Sequence, residues 1–161
     1  MSLNCRSILL TLLLLATAGT ALGADAEGDR AVHYPLTMAR VQAFYDAQLK
    51  LIEAAVRDPK LGDAVEMDAS EPTAKTIARL EAQPAIKKAL AEAGLTPQQY
   101  VYTSVAYMGA AFGVIYQQNA HGKLDKAYDA DNVAFFKAHK ATLEAMAKKV
   151  QQQAQALAGD D

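Results

Sequence analysis

From Ala93 through Gly122 the chain runs for thirty residues without a single Asp, Glu, Lys or Arg. Few folds accommodate such a stretch. From Val101 to Tyr116 it is apolar or weakly polar on every side of a helical wheel, the pattern of a helix surrounded by other helices. Its start is written in Leu95-Thr96-Pro97-Gln98-Gln99. Thr96 is placed as N-cap, Pro97 as first helical residue and Gln99 as the third, a capping box, with Leu95 as a hydrophobic staple. Gly122 is the natural stop. Gly109 and Gly113, four apart inside this helix, each cost about 1 kcal/mol of helix propensity relative to Ala. Close approach of a neighbouring backbone and room for a ligand both account for them.

The remaining segments read as amphipathic helices. Thr37 is placed to cap one running to about Arg57, with Met38, Val41, Tyr45, Ile52 and Val56 on one stripe. Asp46–Lys50 and Glu53–Arg57 are four-residue charge pairs on its wet side. Asp58-Pro59 stops it, and residues 60–69 read as a loop. Ser70 reads as the N-cap of a second helical segment, kinked or split at Pro84 and ended by Gly94. Asp129 or Asp131 is placed to cap the last helix, which runs to about Leu157. Its stripe is Val133, Phe136, Lys140, Leu143, Ala147, Val150, Ala154 and Leu157, with Lys140 snorkelling outward. Alanine fills 34 of the 161 positions, and no strand alternation is present. The expected fold is all-α: an antiparallel bundle of four main helices over residues 36–158, with the first and central helices pointing the same way.

Residues 1–23 form an address. Arg6 precedes an apolar run, Ile8 to Ala16, and small residues follow to Ala21-Leu22-Gly23. This is the pattern of a cleaved secretory signal peptide, with cleavage within residues 21–26, and the run is shorter than the ~20 residues of a span. The expectation is export to the periplasm or medium, with residues 24–35 as a flexible start. Cleavage removes Arg6 and Cys5, leaving 15 basic and 18 acidic residues and no cysteine. A chain without cysteine forms no disulfide, thiolate metal site, iron–sulfur cluster or thioether-linked haem. A net charge of −3 does not suit nucleic acid. Membrane association is not expected after cleavage.

Catalytic motifs are missing. No Glu-x-x-His, His-Glu-x-x-His, Gly-x-Ser-x-Gly, phosphate loop or dinucleotide fingerprint occurs. The reading therefore leans away from an enzyme and nominates no cofactor, no metal ligand and no catalytic residue. His33 and His121 read as loop residues. Met38 and His139 are a Met/His pair of the kind that holds haem, but the expected topology puts the starts of their helices at opposite ends. What remains is aromatic. With the last two helices as a hairpin, His139 lies opposite Gly113 and Tyr116. Tyr107, Met108, Phe112, Tyr116 and His139 are then the candidate lining of a small apolar site. The partner is accordingly a small apolar ligand or another protein.

Two resemblances bear on function. Pro84-Ala85-Ile86-Lys87 and Gly94-Leu95-Thr96-Pro97-Gln98-Gln99-Tyr100 resemble a stretch, over residues 77–112, of small secreted helical proteins of Gram-negative bacteria that have no characterised activity. Leu95-Thr96-Pro97-Gln98-Gln99, with Leu36-Thr37-Met38-Ala39-Arg40 as a partial second copy, is similar to the Leu-Thr-x-x-Gln motif of Spy-type periplasmic chaperones. That similarity implies a chaperone-like stress role, the main alternative to a non-catalytic binding or structural module; the second alternative is a membrane-associated helical protein whose uncharged stretch, residues 93–122, enters lipid.

Overall fold

A computed structural model describes residues 26–68, 70–120 and 122–159. The signal-peptide reading over residues 1–23, the cleavage site within residues 21–26, Cys5 and His121 lie outside the described residues. Within them the chain is all-helical, with seven α-helices rather than four and no strand. They are α1 (Ala26–Val32), α2 (Met38–Arg57), α3 (Gly62–Val65), α4 (Thr73–Glu81), α5 (Pro84–Glu92), α6 (Pro97–Asn119) and α7 (Ala130–Gly159).

Local chemistry explains most boundaries. Thr37 Oγ1 accepts the Arg40 N–H at 3.2 Å and opens α2. Thr96 Oγ1 accepts the Gln99 N–H at 3.1 Å while Gln99 Oε1 accepts the Thr96 N–H at 3.0 Å, so the capping box at α6 is complete. Asp129 Oδ1 accepts the Asn132 N–H at 2.8 Å and caps α7. Such caps contribute about 1 kcal/mol each. Gly94 and Gly122 take φ of 76° and 88° after α5 and α6, a left-handed conformation that glycine adopts without strain.

Four local expectations need correction. Residues 24–35 are not a loose start. Seven residues are too few for a helix in isolation, but α1 buries Ala31 and Val32 against the core, and packing supplies what length does not. Residues 60–69 are not a plain loop. Asp58 Oδ1 accepts the Lys60 N–H, and a 3-10 turn at Pro59–Leu61 leads into α3, burying Leu61 and Val65. Ser70 caps nothing, because its N–H and Oγ both donate to Asp68 Oδ1, at 2.8 and 2.7 Å. Lys50 pairs with Glu53 at 3.2 Å rather than with Asp46, which accepts from Gln42 instead. The Glu53–Arg57 pair does form, at 3.5 Å.

The larger correction concerns direction. Tyr45 meets Tyr107 while Gln48 hydrogen-bonds Tyr100, so α2 and α6 are antiparallel, not parallel. Phe136 of α7 lies against Tyr107, and Val133 lies against Gly113. Thus α7 is antiparallel to α6 as well, and α2 and α7 start from the same end. The reason lies at Pro84. One kinked leg would carry the chain from end to end, whereas two separate helices, α4 and α5, leave from and return to the end where α2 stops.

The core follows from this arrangement. Val41, Phe44, Tyr45, Ala47 and Leu51 of α2 meet Ile86 and Leu90 of α5 and Tyr100, Val101, Ala106 and Ala110 of α6, with Leu143 of α7 fully buried. The stripe expected on α7 divides: Val133, Leu143 and Ala154 are buried, while Phe136, Ala147 and Val150 are half-buried. Lys140 is exposed and reaches Glu144 at 3.7 Å.

Candidate functional site

The five residues proposed from sequence sit on helix α6 and the first half of α7, but they do not converge. Tyr107 faces inward. Its ring lies 5.3 Å from Phe136, 6.0 Å from Tyr45 and 6.2 Å from Phe44, and its hydroxyl accepts from Tyr45 Oη at 2.9 Å. Tyr100 completes this cluster, 5.2 Å from Phe44. Ring separations of 5–6 Å are those of packed aromatic pairs. Burial, together with the bond to Tyr107, holds the Tyr45 phenol far above its ordinary pKa, and burial does the same for Tyr100. This is a filled interior with its polar atoms matched.

Met108, Phe112 and Tyr116 follow one another at four-residue spacing and face away from that cluster. Met108 and Phe112 are half-buried, and Tyr116 is 40% exposed. Between them lie Ala111, half-buried, and Ile115, 53% exposed. The expectation that α6 is buried on every side up to Tyr116 therefore holds only for its first half, where Val101, Tyr102 and Val105 are buried. The cause is length. The helices packed on that part of α6, α1 and α4, have only seven and nine residues, and α6 has 23.

His139 is not opposite Gly113 and Tyr116. Gly113 faces Val133 and Tyr128, and Tyr116 lies 5.6 Å from Tyr128. On antiparallel helices, moving from Val133 to His139 leads away from Tyr116. His139 instead packs at a tilt of 49° against Phe135 with ring centroids 4.6 Å apart, its neighbour one turn earlier on the same helix. The topological ground for separating Met38 from His139 also falls, because their helices start from one end. Met38 packs half-buried against the core.

The two glycines separate the two explanations offered for them. A methyl group at Gly113 would come within 2.5 Å of Val133 Cγ2 and 3.3 Å of Tyr128 Cβ, so this glycine permits close approach. Gly109 is buried, yet a methyl group there would meet nothing within 4 Å. The space beside it is open.

Polar groups elsewhere are arranged as ties rather than as a reaction centre. His33 Nδ1 and Asp129 Oδ2 are 2.8 Å apart, linking the α1–α2 connection to the start of α7. Burial raises the Asp129 pKa, but the bonds from His33 and the Asn132 N–H outweigh it and leave the carboxyl below its ordinary range. Arg79 donates to the carbonyls of Asp63, Ala64 and Glu66 and to Glu71 Oε2, binding the 62–71 segment to α4. Tyr102 Oη donates to Glu27 of α1, while Arg40 stacks on Tyr34 at 4.4 Å. An open groove lined by Asp46, Leu49, Lys50, Glu53, Glu92 and Ala93 runs between α2 and the end of α5. Among the described residues no three His, Asp or Glu side chains converge in a way that would hold a metal ion, and no helix is long and apolar enough to cross a membrane.

The signals that sequence reading missed are Ile115 and Asn132. Ile115 was hidden within a uniformly apolar helix. Asn132 carries no motif, although a buried amide beside an N-cap is a common tie between segments. No family model, curated protein or solved structure matches the chain.

Proposed function

We propose that this protein is an exported, non-catalytic module that works by contact, with the uncovered half of α6 docking on an uncharged, apolar partner surface. In this reading α2, the α4–α5 pair, α6 and α7 serve as the four legs of a bundle frame. One observation carries it: Ile115 and Tyr116 are 53% and 40% exposed, with Met108 and Phe112 half-buried beside them, on a helix without a charged residue. A helix face made for water alone carries charged residues, and exposed contiguous apolar surface marks interaction sites. Export rests on the pattern of residues 1–23.

Intact mass of the protein recovered from the envelope tests export, and loss of residues 1–23 is expected. Retention of those residues on a cytoplasmic protein overturns it. Ile115→Glu tests the contact face. The expected outcome is loss of any associated mass in native mass spectrometry with helix content unchanged. An associated mass that survives the substitution places the contact elsewhere.

The space beside Gly109 favours a second reading, a small apolar ligand held within the helices. An extra mass of a few hundred daltons that is lost in Gly109→Leu but retained in Ile115→Glu would select it.

A further inference from the structure

We infer that α1 is a displaceable strap: hinged at Asn132 and latched at Glu27, it lies on the covered half of an α6 seam and opens as a unit while the rest of the chain stays folded. The seam is legible in the spacing. Tyr102, Val105, Gly109, Phe112 and Tyr116 follow one another at intervals of three and four, so they line one side of α6. Tyr102, Val105 and Gly109 are buried, Phe112 is half-buried and Tyr116 is exposed. From Tyr102 to Tyr116 the seam is roughly 21 Å long at ~1.5 Å per residue, and the seven residues of α1 span about half of that. Helix α1 packs on α6 at Tyr102, whose hydroxyl donates to Glu27 and whose ring lies 5.5 Å from that of Tyr34.

The attachment of α1 is unequal along its length. At its end, Asn132 Nδ2 donates to the carbonyls of Val32 and Tyr34, and His33 Nδ1 lies 2.8 Å from Asp129 Oδ2. Asn132 is buried and belongs to the long helix α7, so this end holds. At its start the ties to α6 are the Tyr102 hydroxyl and, at 3.5 Å, the Gln98 amide, both on one oxygen of Glu27. Between these ends α1 buries Gly28, Ala31 and Val32, no side chain larger than valine. Helix α4, on the same part of α6, buries Ile77 and Leu80 and is tied by Arg79 to Glu71. A helix of seven residues has no stability of its own. Short length and few buried apolar atoms are the marks of a segment that opens locally, below the cost of global unfolding.

Withdrawing α1 takes cover from the first half of the seam and joins Tyr102 and Val105 to Phe112 and Tyr116. Closed, α1 is then an autoinhibitory cover over part of the docking surface, and a partner helix that follows the seam displaces it. That consequence rests on the contact-face reading; the opening itself does not.

The test is hydrogen exchange of the full protein, read by mass spectrometry at low urea concentrations. Residues 26–34 are expected to exchange at least tenfold faster than α2 and α6, through an opening that urea hardly affects. Tyr102→Phe keeps the ring and removes the latch, and Glu27→Ala removes it from the other side; each should speed this exchange about a further tenfold. Trypsin gives a second readout. Cutting after Arg30 should accelerate in Glu27→Ala, while cutting at Lys123 and Lys126, in the α6–α7 connection, should not. Exchange of residues 26–34 that rises with urea in step with α2 overturns the inference, and so does a rate of exchange or of cutting at Arg30 that neither variant changes. Ile115→Glu, which tests the contact face, should leave the opening of α1 unchanged, so failure of either reading is seen without the other.

Discussion

The side chain of Asn132, at the start of α7, completes the backbone hydrogen bonding of a segment 96 residues earlier in the chain. Its Oδ1 accepts the Leu36 N–H at 2.8 Å, and its Nδ2 donates to the carbonyls of Tyr34 at 3.1 Å and Val32 at 3.2 Å. Asn132 is 3% exposed. One amide thus joins the end of α1, the start of α2 and the start of α7.

Asn132→Leu is expected to be costly beyond its size. It leaves Leu36 N–H and two carbonyls without the Asn132 partner, for at least about 3 kcal/mol in total, since each unsatisfied buried group costs on the order of 1–3 kcal/mol. Urea denaturation measures this. A loss below about 1 kcal/mol would mean that water replaces the amide, because that is the size of a single ordinary hydrogen bond.

The glycines of α6 should respond in opposite directions. Gly109→Ala introduces a methyl group into open space, so the helix-propensity gain of about 1 kcal/mol is retained. Gly113→Ala drives the same methyl against Val133 Cγ2, a stiff β-branched side chain. Overpacking there costs on the order of 1–3 kcal/mol. Thermal melts of the two variants decide the matter; equal shifts would contradict the geometry.

Paired tyrosines limit the protein at high pH. Burial raises Tyr45, Tyr100 and Tyr107 in the folded state. A raised folded pKa contributes stability that is complete below the unfolded value, about 10, and is lost as pH climbs above it. The 295 nm absorbance of phenolate should therefore show Tyr45 and Tyr100 ionising together with unfolding. Tyr45→Phe should cost about 1 kcal/mol, and adding Tyr107→Phe should cost less than a second independent loss. Additive losses would show that the two hydroxyls act separately.

Acid acts through the Arg79 clasp. The bond from Arg79 depresses Glu71 most strongly, followed by that from Thr76, against the opposing effect of burial. A depressed carboxyl contributes stability that is present above its unfolded value, near pH 4.3, and is lost as pH falls through the lower folded value. Glu71→Gln should flatten the stability profile as pH falls below the ordinary carboxylate range. Arg79→Met should speed hydrogen exchange over residues 62–71 before the rest of the chain. Uniform exchange would mean that the clasp is not a local unit.

How much of the fold could be read in advance varies by element. Thr37 and Thr96-Gln99 announced the starts of α2 and α6, and Asp129 was one of two caps offered for α7, because a cap is settled within four residues. The same locality misled at Ser70, where Asp68 competes for the hydroxyl and the N–H. Helix α1 was not legible, since Ala31 and Val32 reveal their burial only once α6 lies beside them. Of the five proposed site residues, Tyr107 belongs to the interior, Met108, Phe112 and Tyr116 to one outer face, and His139 to Phe135.

By itself the sequence determined that this chain is helical, where its longest helices begin and end, and that α6 has no charge to give a partner. Those properties depend on neighbours a few residues apart. Only the tertiary structure decided the direction of α2 relative to α6, the closing of three helix ends on Asn132, and which half of α6 is left uncovered. Helical periodicity states that a face is apolar, but not what meets it. That depends on the lengths of α1 and α4 and on the extra turn at Pro84, which act between segments far apart in the chain.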